Sequence, residues 1–423
     1  MQKPILRLLR DKSYLSYFFA TAFSMGSSNI LQFTLALYIL DRTGSPVVYA
    51  SILSIVILPR ILLTPVGGVL GDRLERRGIM RILTLIQAIT MGAYAVYASS
   101  GDLSLFSVYV LVVILEMVEV FYNAAESSIL PEIVEKELLE EAVTLSRVDD
   151  GIVYISTPLL AAWIYKQFGI FGSFLLIGVL LVVALALLFF IDTPYASPRK
   201  EKSSGGIKIY LSEFLEGVRE LKKNRFAKIF VLVAPLINFS FSAIFSVVIT
   251  YVFLEVFGTG EYLYGVYRMA TAGVSVVLPL ILLPLVKKIE PERLLRYSSL
   301  SIAGFLFLIG GAVTYGMHAG SEKLVPVVIA ITILDCLVIS SVMPLNIATQ
   351  VFFQKNIDNA YRSRIMSVFS MLALSSIPLG NMFYGYLASV LPAYLSIFIA
   401  SFAVLLTYPL TRTLVPDEQS HAK

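Results

Sequence analysis

The sequence predicts an all-α membrane protein with twelve transmembrane helices in two six-helix halves related by a pseudo-two-fold axis. Three observations lead to this fold class. Of the 423 residues, 57% are hydrophobic and 15% are charged, and the mean hydropathy is +0.81, which is far more apolar than a soluble domain. Apolar runs of about 20 residues recur along the chain. Basic residues also gather in alternate loops, as they do in proteins that cross a membrane many times.

Twelve apolar runs, separated by charged or turn-forming clusters, are long enough to cross a bilayer as helices. They cover residues 13–40, 46–71, 79–100, 104–130, 142–165, 169–191, 228–256, 262–286, 294–316, 324–350, 365–389 and 393–414. Because the bilayer core offers the backbone no hydrogen-bond partner, runs of this length can only be helical. The first run continues well past Ala22, so we expect an uncleaved helix rather than a signal peptide.

The basic residues predict the orientation of these spans. With the N-terminus in the cytoplasm, 27 of the 33 Lys and Arg residues fall on the cytoplasmic side. Arg42, Lys166 and Lys323 fall on the opposite side. This is the positive-inside pattern, and it predicts an integral plasma (inner) membrane protein with both termini in the cytoplasm.

The longest polar stretch predicts the domain organisation. It separates an N-terminal half at 1–191 from a C-terminal half at 228–423, with a cytoplasmic linker at 192–227. Residues 209–223 of the linker place apolar side chains on one helical face, which indicates an amphipathic helix on the cytoplasmic leaflet; a solvated loop helix is the alternative. The halves repeat weakly at an offset near 220 residues, since Pro158 matches Pro378 and Glu116 precedes Asp335 by 219. Two such halves are typical of transporters.

The scarcity of cysteine and histidine excludes several kinds of site. A single cysteine, Cys336, cannot form an internal disulfide framework or a cysteine-based metal centre. His318 and His421 are the only histidines, so we expect no metal site and no cofactor. The net charge of +4 is small and adjoins the spans, which argues against a nucleic-acid partner.

The loop after span two reads Gly67-Gly68-Val69-Leu70-Gly71-Asp72-Arg73-Leu74-Glu75-Arg76-Arg77. Here the sequence resembles the major facilitator superfamily, whose signature at this position is G-x-L-(A/G)-D-R-x-G-R-(K/R). The matching residues are Gly68, Leu70, Gly71, Asp72, Arg73, Arg76 and Arg77, whereas Glu75 replaces the second glycine. The resemblance implies the major facilitator fold over essentially the whole chain and transport by alternating access.

In that superfamily the cluster latches the two halves in the outward-open state. The residues themselves suit such a role, because small residues such as Gly68 let a neighbouring helix approach closely. Asp72 could face the N-terminus of span eleven, where the helix dipole favours an anion. Arg73 or Arg76 could pair with Glu126. The predicted latch comprises Gly68, Gly71, Asp72, Arg73, Arg76, Arg77 and Glu126; a basic cluster that only sets topology is the alternative.

Further motifs narrow the resemblance to one branch of the superfamily. Span five carries Thr157-Pro158-Leu159-Leu160-Ala161-Ala162, a degraded form of the antiporter motif G-P-x-x-G-G. Other echoes are Ile129-Leu130-Pro131-Glu132-Ile133-Val134 after span four and Glu216-Gly217-Val218-Arg219 before span seven. Together they resemble the macrolide-efflux and enterobactin-exporter branch, which also includes lysophospholipid transporters.

Span four carries the clearest set of polar groups at membrane depth. Glu116, Glu119, Asn123 and Glu126 are spaced three, four and three residues apart, which keeps them on one helical face. A charged side chain at the bilayer centre costs at least about 2.5–3.5 kcal/mol, so it should face a wet cavity or a partner. Span four usually lines the central cavity in this superfamily. A helix-packing seam is the alternative.

Other charged or polar groups within the spans complete the candidate site. Arg60 is expected to pair with Glu116 or Glu119, and breaking such a buried pair would cost about 3–5 kcal/mol. Arg147 can pair with Asp150, although an interfacial position is the alternative for this group. The candidate proton-coupling or substrate residues are Glu116, Glu119, Asp149, Asp150, Arg60, Asn123, Asp335 and Asn238.

The sequence predicts a secondary active transporter. In the main hypothesis it is a proton-coupled exporter of an amphipathic small molecule or drug, and a cationic molecule is one such substrate. The chain has no phosphate-binding loop for ATP, and a cavity carboxylate can exchange a proton for a cation. Glu119 is the first candidate for that exchange, because two carboxylates one turn apart resist simultaneous ionisation and Arg60 can neutralise Glu116. The alternative is a lipid (lysophospholipid) or siderophore exporter or flippase of the same fold.

Two further classes fit the sequence poorly. A membrane-embedded enzyme would need a nucleophile–base pair or a metal centre within the spans, and neither histidine lies there. A channel would not need two halves with a latch motif. The expected partners are a small-molecule substrate, protons and membrane lipids, without nucleic acid, and we expect a functional monomer.

Overall fold

Every regular element in the described part of the chain is a helix, which confirms the all-α class. The structure is a computed structural model that describes residues 4–64, 75–195, 215–216, 218–221, 225–286, 289–356 and 359–412. The helices are α1 (Pro4–Leu8), α2 (Lys12–Thr43), α3 (Pro46–Thr64), α4 (Arg76–Ser99), α5 (Leu105–Ile133), α6 (Leu139–Leu188), α7 (Arg225–Ala243), α8 (Gly260–Val286), α9 (Pro291–His318), α10 (Leu324–Asn356), α11 (Asn359–Val390), α12 (Ala393–Leu405) and α13 (Thr407–Arg412).

Ten helical segments among the described residues are long and apolar enough to cross a membrane. One of them, Lys136–Leu188, covers the fifth and sixth predicted spans together. The helix after the linker continues beyond α7 through two π-helical turns, Ile244–Val248 and Val252–Val256. The total of twelve crossings stays a prediction, as does the orientation of the termini.

α6 is two helices joined by a sharp reversal. A straight helix of its 50 residues would extend about 75 Å, yet both of its ends meet the start of α2. The Tyr14 hydroxyl donates to the Ala142 carbonyl at 3.2 Å, and the Asp192 N–H donates to Ser13 Oγ at 3.0 Å. The break lies at Gly169, which has a φ of 61° and a ψ of −158° and therefore needs a residue without a Cβ.

Tight packing surrounds this reversal. A Cβ added at Gly172 would collide with the side chain of Phe168, so glycine is needed one turn after the break as well. The predicted boundary between the spans at 142–165 and 169–191 therefore agrees with the structure.

The described helices group into two compact units. The first takes its residues from Met1–Tyr38, Ile55–Ser204 and Glu261–Met269, and the second from Ile39–Ser54, Gly205–Gly260 and Ala270–Lys423. In the first unit, the start of α8 packs on α6, where a Cβ at Gly265 would lie 2.8 Å from that of Ala162. In the second, the start of α3 packs on α11, where a Cβ at Gly385 would lie 2.5 Å from that of Ala50. The division at the linker into 1–191, 192–227 and 228–423 stays a prediction.

One end of the first unit is held together by a buried apolar cluster. Leu8 of α1 and Tyr14 of α2 pack there against Ile133 of α5 and Leu188 of α6. Arg7, Arg76, Arg77 and Arg81 lie at the same end, which we call the basic end of the first unit. Of the predicted linker helix, residues 215–216 and 218–221 are described and helical.

Candidate functional site

Arg60 and Glu116 form an ion pair in the first unit. Arg60 Nε donates to Glu116 Oε1 at 2.6 Å. The carboxylate side chain is 10% exposed and the arginine side chain is 47% exposed. α3 supplies the cation and α5 the anion, so the pair joins two predicted spans. This confirms the pairing expected from the sequence.

Glu119 lies one turn further along α5 and is held by neutral groups. Gln87 of α4 donates to Glu119 Oε2 at 3.1 Å, and the Ser28 hydroxyl of α2 donates to the same oxygen at 3.4 Å. Asn123 donates to Glu119 Oε1 at 3.4 Å. Within the ranges that the structure covers, no cation lies within ion-pair distance of this carboxylate. Glu116 and Glu119 are therefore neighbours with different partners.

Glu126 continues the same face of α5 two turns beyond Glu119. It is partly buried, and the charged groups close enough to act on it are Glu119, Asp150 and Arg147. Buried aromatic hydroxyls of Tyr17 in α2 and Tyr122 in α5 lie near it as well. Glu116, Glu119 and Glu126 therefore form one row of carboxylates along α5, as the spacing predicts.

The start of α6 places further charged groups at the end of this row of carboxylates. Arg147 Nη1 donates to Asp150 Oδ2 at 3.2 Å, and both side chains are well exposed, which confirms the predicted pair. Asp149 faces elsewhere and is buried. The row of carboxylates thus runs from the partly buried Glu119 to the exposed Asp150.

The carboxylate that Arg76 of the predicted latch contacts differs from the expected one. Arg76 Nη1 contacts Glu132 Oε1 at 2.5 Å and the Ser128 carbonyl at 3.1 Å, so its carboxylate partner is Glu132 rather than Glu126. The reason is that α5 extends past the predicted end of span four, to Ile133, and brings Glu132 opposite the start of α4.

The other latch residues divide between the described and undescribed parts of the chain. Arg77 donates to Glu75 at 3.0 Å and to the Ile191 carbonyl at 2.9 Å, and it lies 3.6 Å from Asp192. It therefore ties the start of α4 to the chain after α6. Gly68, Gly71, Asp72 and Arg73 lie outside the described residues, so their predicted contacts stay predictions.

The second unit holds the remaining two candidates. Asp335 of α10 is buried, with 3% of its surface exposed. Asn238 of α7 donates to the Ala373 carbonyl of α11 at 3.3 Å, and Ser246 donates to Asn381 Oδ1 at 3.2 Å. Asn238, a candidate substrate residue from the sequence, thus contributes to the packing of α7 against α11 within this unit.

Sequence reasoning missed two residues of the first unit. Gln87 is buried, with 4% of its surface exposed, and is the nearest donor to Glu119. A lone amide in an apolar span was the available signal, since a buried polar group needs a partner. In the sequence, Glu132 stands out only as part of a family motif. Its position four residues after Ser128 of α5 gives no hint of Arg76.

This arrangement has a definite chemical capacity. Glu116 has its charge balanced by Arg60, whereas Glu119 accepts hydrogen bonds from an amide and a hydroxyl of other helices. A carboxylate held in this way can take up a proton or an organic cation, and each excludes the other. The site therefore suits exchange of a cation for a proton.

Similarity to known proteins extends over most of the chain. The family model for the Major Facilitator Superfamily matches residues 17–381. The chain belongs to this superfamily. The membership confirms the resemblance read from the loop after span two and explains the two compact helical units. Members of the superfamily are membrane transporters, so the protein is a multi-pass integral membrane transporter.

Relatives within the superfamily include efflux proteins. Macrolide efflux protein A of Streptococcus pyogenes is 27% identical over 224 residues, which are 53% of this chain and 54% of that protein. The matched region therefore spans about half the length of these relatives. The MFS-type transporter YvqJ of Bacillus subtilis (strain 168) is 21% identical over 89% of this chain and 86% of its own length.

Solved superfamily structures share the fold. A bacterial homologue of the iron transporter ferroportin, in its inward-facing state, superposes with a TM-score of 0.72 at 18% identity and covers 96% of this chain and 98% of its own. The nucleoside transporter NupG gives a TM-score of 0.67 at 14% identity, over 95% and 99% of the two chains. At these identities the likeness establishes the major facilitator fold alone.

Proposed function

We propose that the protein is a proton-coupled exporter of amphipathic small molecules that carry a cationic group. The observation that carries the proposal is the pair of neighbouring carboxylates with unlike partners. Arg60 contacts Glu116 at 2.6 Å, while the hydrogen bonds to Glu119 come from Gln87, Ser28 and Asn123. Glu119 is thus the carboxylate that can bind the coupling proton.

The exchange follows from charge balance. When Glu119 is protonated, the site is neutral and the loaded proton can cross the membrane with the transporter. When a cationic substrate approaches, its charge favours the carboxylate form and the proton leaves. Substrate and proton therefore occupy Glu119 in turn, which is what antiport requires.

Export of a drug-like molecule is supported by the relatives. The Streptococcus pyogenes relative is a macrolide efflux protein, and macrolides commonly carry an amine that is protonated at neutral pH. Such a molecule combines a large apolar body with one cationic group. A site that offers a carboxylate beside buried tyrosines suits that combination.

The membrane arrangement belongs to the same proposal. We place the basic end of the first unit in the cytoplasm, because Arg7, Arg76, Arg77 and Arg81 gather there and the positive-inside rule applies. Both termini then lie on the cytoplasmic side of the plasma (inner) membrane. The two sequence halves move by alternating access, and one chain suffices, since the proposed coupling residues all belong to it.

Transport in proteoliposomes tests this function. Wild-type protein should accumulate erythromycin against its gradient when a proton gradient is imposed, and should not do so without one. Glu119→Gln should abolish the proton-driven accumulation while retaining substrate binding and part of the downhill exchange, because the neutral side chain keeps the shape of the site but cannot titrate.

Asp335→Asn is the matched variant in the second unit. It should weaken apparent substrate affinity more than coupling. Full proton-driven export by Glu119→Gln would exclude Glu119 and direct attention to Asp149. Transport of a lysophospholipid instead of the macrolide, at a rate independent of Glu119, would favour the lipid-exporter alternative.

A further inference from the structure

We propose that Arg60 is a second binding group of the candidate site and donates hydrogen bonds to a neutral oxygen acceptor of the substrate. The inference rests on the proposed function and narrows its substrate class. The transported molecules are then cationic amphiphiles that carry a carbonyl oxygen a few bonds from the charged nitrogen, as an amino ester does.

The guanidinium of Arg60 has more donors than its ion pair uses. An arginine side chain carries five N–H groups in a planar fork. The contact with Glu116 Oε1, at 2.6 Å, is made by Nε, which carries one of the five. Nη1 and Nη2 carry the other four and make no hydrogen bond to a residue in the ranges that the structure covers. This outer edge of the guanidinium is therefore available to a ligand.

The two members of the ion pair differ in accessibility. The Glu116 side chain is 10% exposed, whereas that of Arg60 is 47% exposed. Arg60 lies about 21 Å along α3 from Pro46, at the depth of the membrane interior. A cation at that depth faces a partner or a space that water can enter. The exposed edge of Arg60 is thus expected to line such a space.

The apolar side chains of α3 indicate that this space is not the lipid. Leu58 and Leu62 are 61% and 71% exposed, and each lies two residues from Arg60. Because successive residues of a helix are about 100° apart, both leucines point nearly opposite to Arg60. The leucines give α3 an apolar face for lipid, while Arg60 lies on the face that meets Glu116.

The position of Glu119 sets the spacing of the groups on the substrate. Glu116 and Glu119 are three residues apart on α5, so their Cβ atoms are separated by about 5–6 Å. The exposed Asn123 donates to Glu119 Oε1 at 3.4 Å, so this oxygen lies next to an accessible side chain. One molecule can therefore place its cation on Glu119 and an oxygen on Arg60.

Charge balance selects a neutral acceptor for Arg60. With Glu119 ionised, Arg60, Glu116 and Glu119 together carry one negative charge, which the cation of the substrate neutralises. A carboxylate or phosphate on the substrate would leave a net negative charge at membrane depth, which is unfavourable. A carbonyl oxygen adds no charge, and a hydrogen bond donated by a guanidinium is stronger than one between neutral groups.

Two ligands that differ in one carbonyl group test the proposal. Lauroylcholine carries an ester carbonyl near a trimethylammonium group, and dodecyloxyethyl-trimethylammonium has a CH₂ in place of that carbonyl. Dissociation constants are measured by calorimetry on the detergent-solubilised protein, and a pH indicator records the protons released in the same titrations. The wild type should bind the ester at least about tenfold more tightly than the ether, because a hydrogen bond to a charged donor is lost in the ether.

Two variants assign this preference to Arg60. Arg60→Ala combined with Glu116→Gln removes both charges of the pair and should reduce the preference to within about twofold. Arg60→Lys keeps a cation for Glu116, so it protects the fold, but it lacks the planar fork and should lose most of the preference. Lys166→Gln is the control, since it removes an exposed cation elsewhere in the first unit, and it should keep the wild-type preference.

Equal affinities of the wild type for the two ligands would overturn the proposal. A wild-type preference that persists in both Arg60 variants would also overturn it, because another group would then hold the carbonyl. The proposed coupling is tested separately in the same titrations. Release of no proton from the wild type on binding either cation would refute that coupling, whereas the preference for the ester reports on Arg60.

Discussion

Arg60→Ala tests the charge balance of the first unit most directly. The substitution removes the guanidinium that lies 2.6 Å from Glu116 and leaves a carboxylate that is only 10% exposed. Breaking a fully buried pair costs about 3–5 kcal/mol, whereas an exposed pair is worth about 0.2–1 kcal/mol. Because the Arg60 side chain is 47% exposed, the pair falls between these limits. We expect the free energy of unfolding to fall by about 2 kcal/mol.

A double-mutant cycle isolates the pair. Glu116→Gln in the Arg60→Ala background removes the stranded charge and should recover about 1 kcal/mol of the loss. The measurement is unfolding of the four detergent-solubilised proteins, followed by tryptophan fluorescence or thermal aggregation. Arg147→Ala is the matched control, because its pair with Asp150 is exposed and should contribute less than about 1 kcal/mol. Strictly additive effects of the two substitutions would show that Arg60 and Glu116 do not interact.

Two further predictions concern helix packing. Arg76→Ala should slow transport and lower the free energy of unfolding by about 1–3 kcal/mol, because it strands Glu132, whose side chain is 12% exposed. Glu132→Gln should slow transport to a similar extent. Wild-type transport rates in both variants would show that this contact is not part of the latch. Gly380→Ala should destabilise the second unit by about 1–3 kcal/mol, because an added Cβ would collide with the Phe239 carbonyl. An unchanged unfolding midpoint for Gly380→Ala would contradict that close crossing.

Part of the candidate site could be predicted because charge at membrane depth leaves few choices. Arg60 lies within a span and the nearest acidic stripe is on span four, so an ion pair with Glu116 or Glu119 followed from the need to compensate a buried charge. Which of the two carboxylates pairs with Arg60 depends on the reach of the side chains. The structure shows the contact with Glu116, while Gln87 and Ser28 donate hydrogen bonds to Glu119, and hydropathy reveals neither arrangement.

The partner of Arg76 could not be predicted because helix ends are poorly defined by hydropathy. Span four was expected to end at residue 130, whereas α5 continues to Ile133. That extension includes Pro131 within the helix and places Glu132, rather than Glu126, opposite α4. An error of a few residues at a helix end therefore changes which carboxylate a cation meets.

The fold was predictable at the level of spans and less so at the level of packing. Long apolar runs leave helices as the only option in a bilayer, and the family motif indicated the arrangement. Hydropathy does not indicate that Ile39–Ser54 groups with the second unit, or Glu261–Met269 with the first. Those groupings depend on close crossings at Gly385 and Gly265, where a small residue matters for its missing side chain.

The reversal at Gly169 has a practical consequence for labelling the protein. The two segments of α6 meet at a single turn residue, and Phe168 fills the space beside Gly172. The turn between these segments is too short to accept an epitope tag, a protease site or a bulky fluorophore. An insertion there would separate the two packed helical segments. Single-cysteine labels for distance measurements are better placed on exposed helix positions such as Glu140, after the native Cys336 has been replaced.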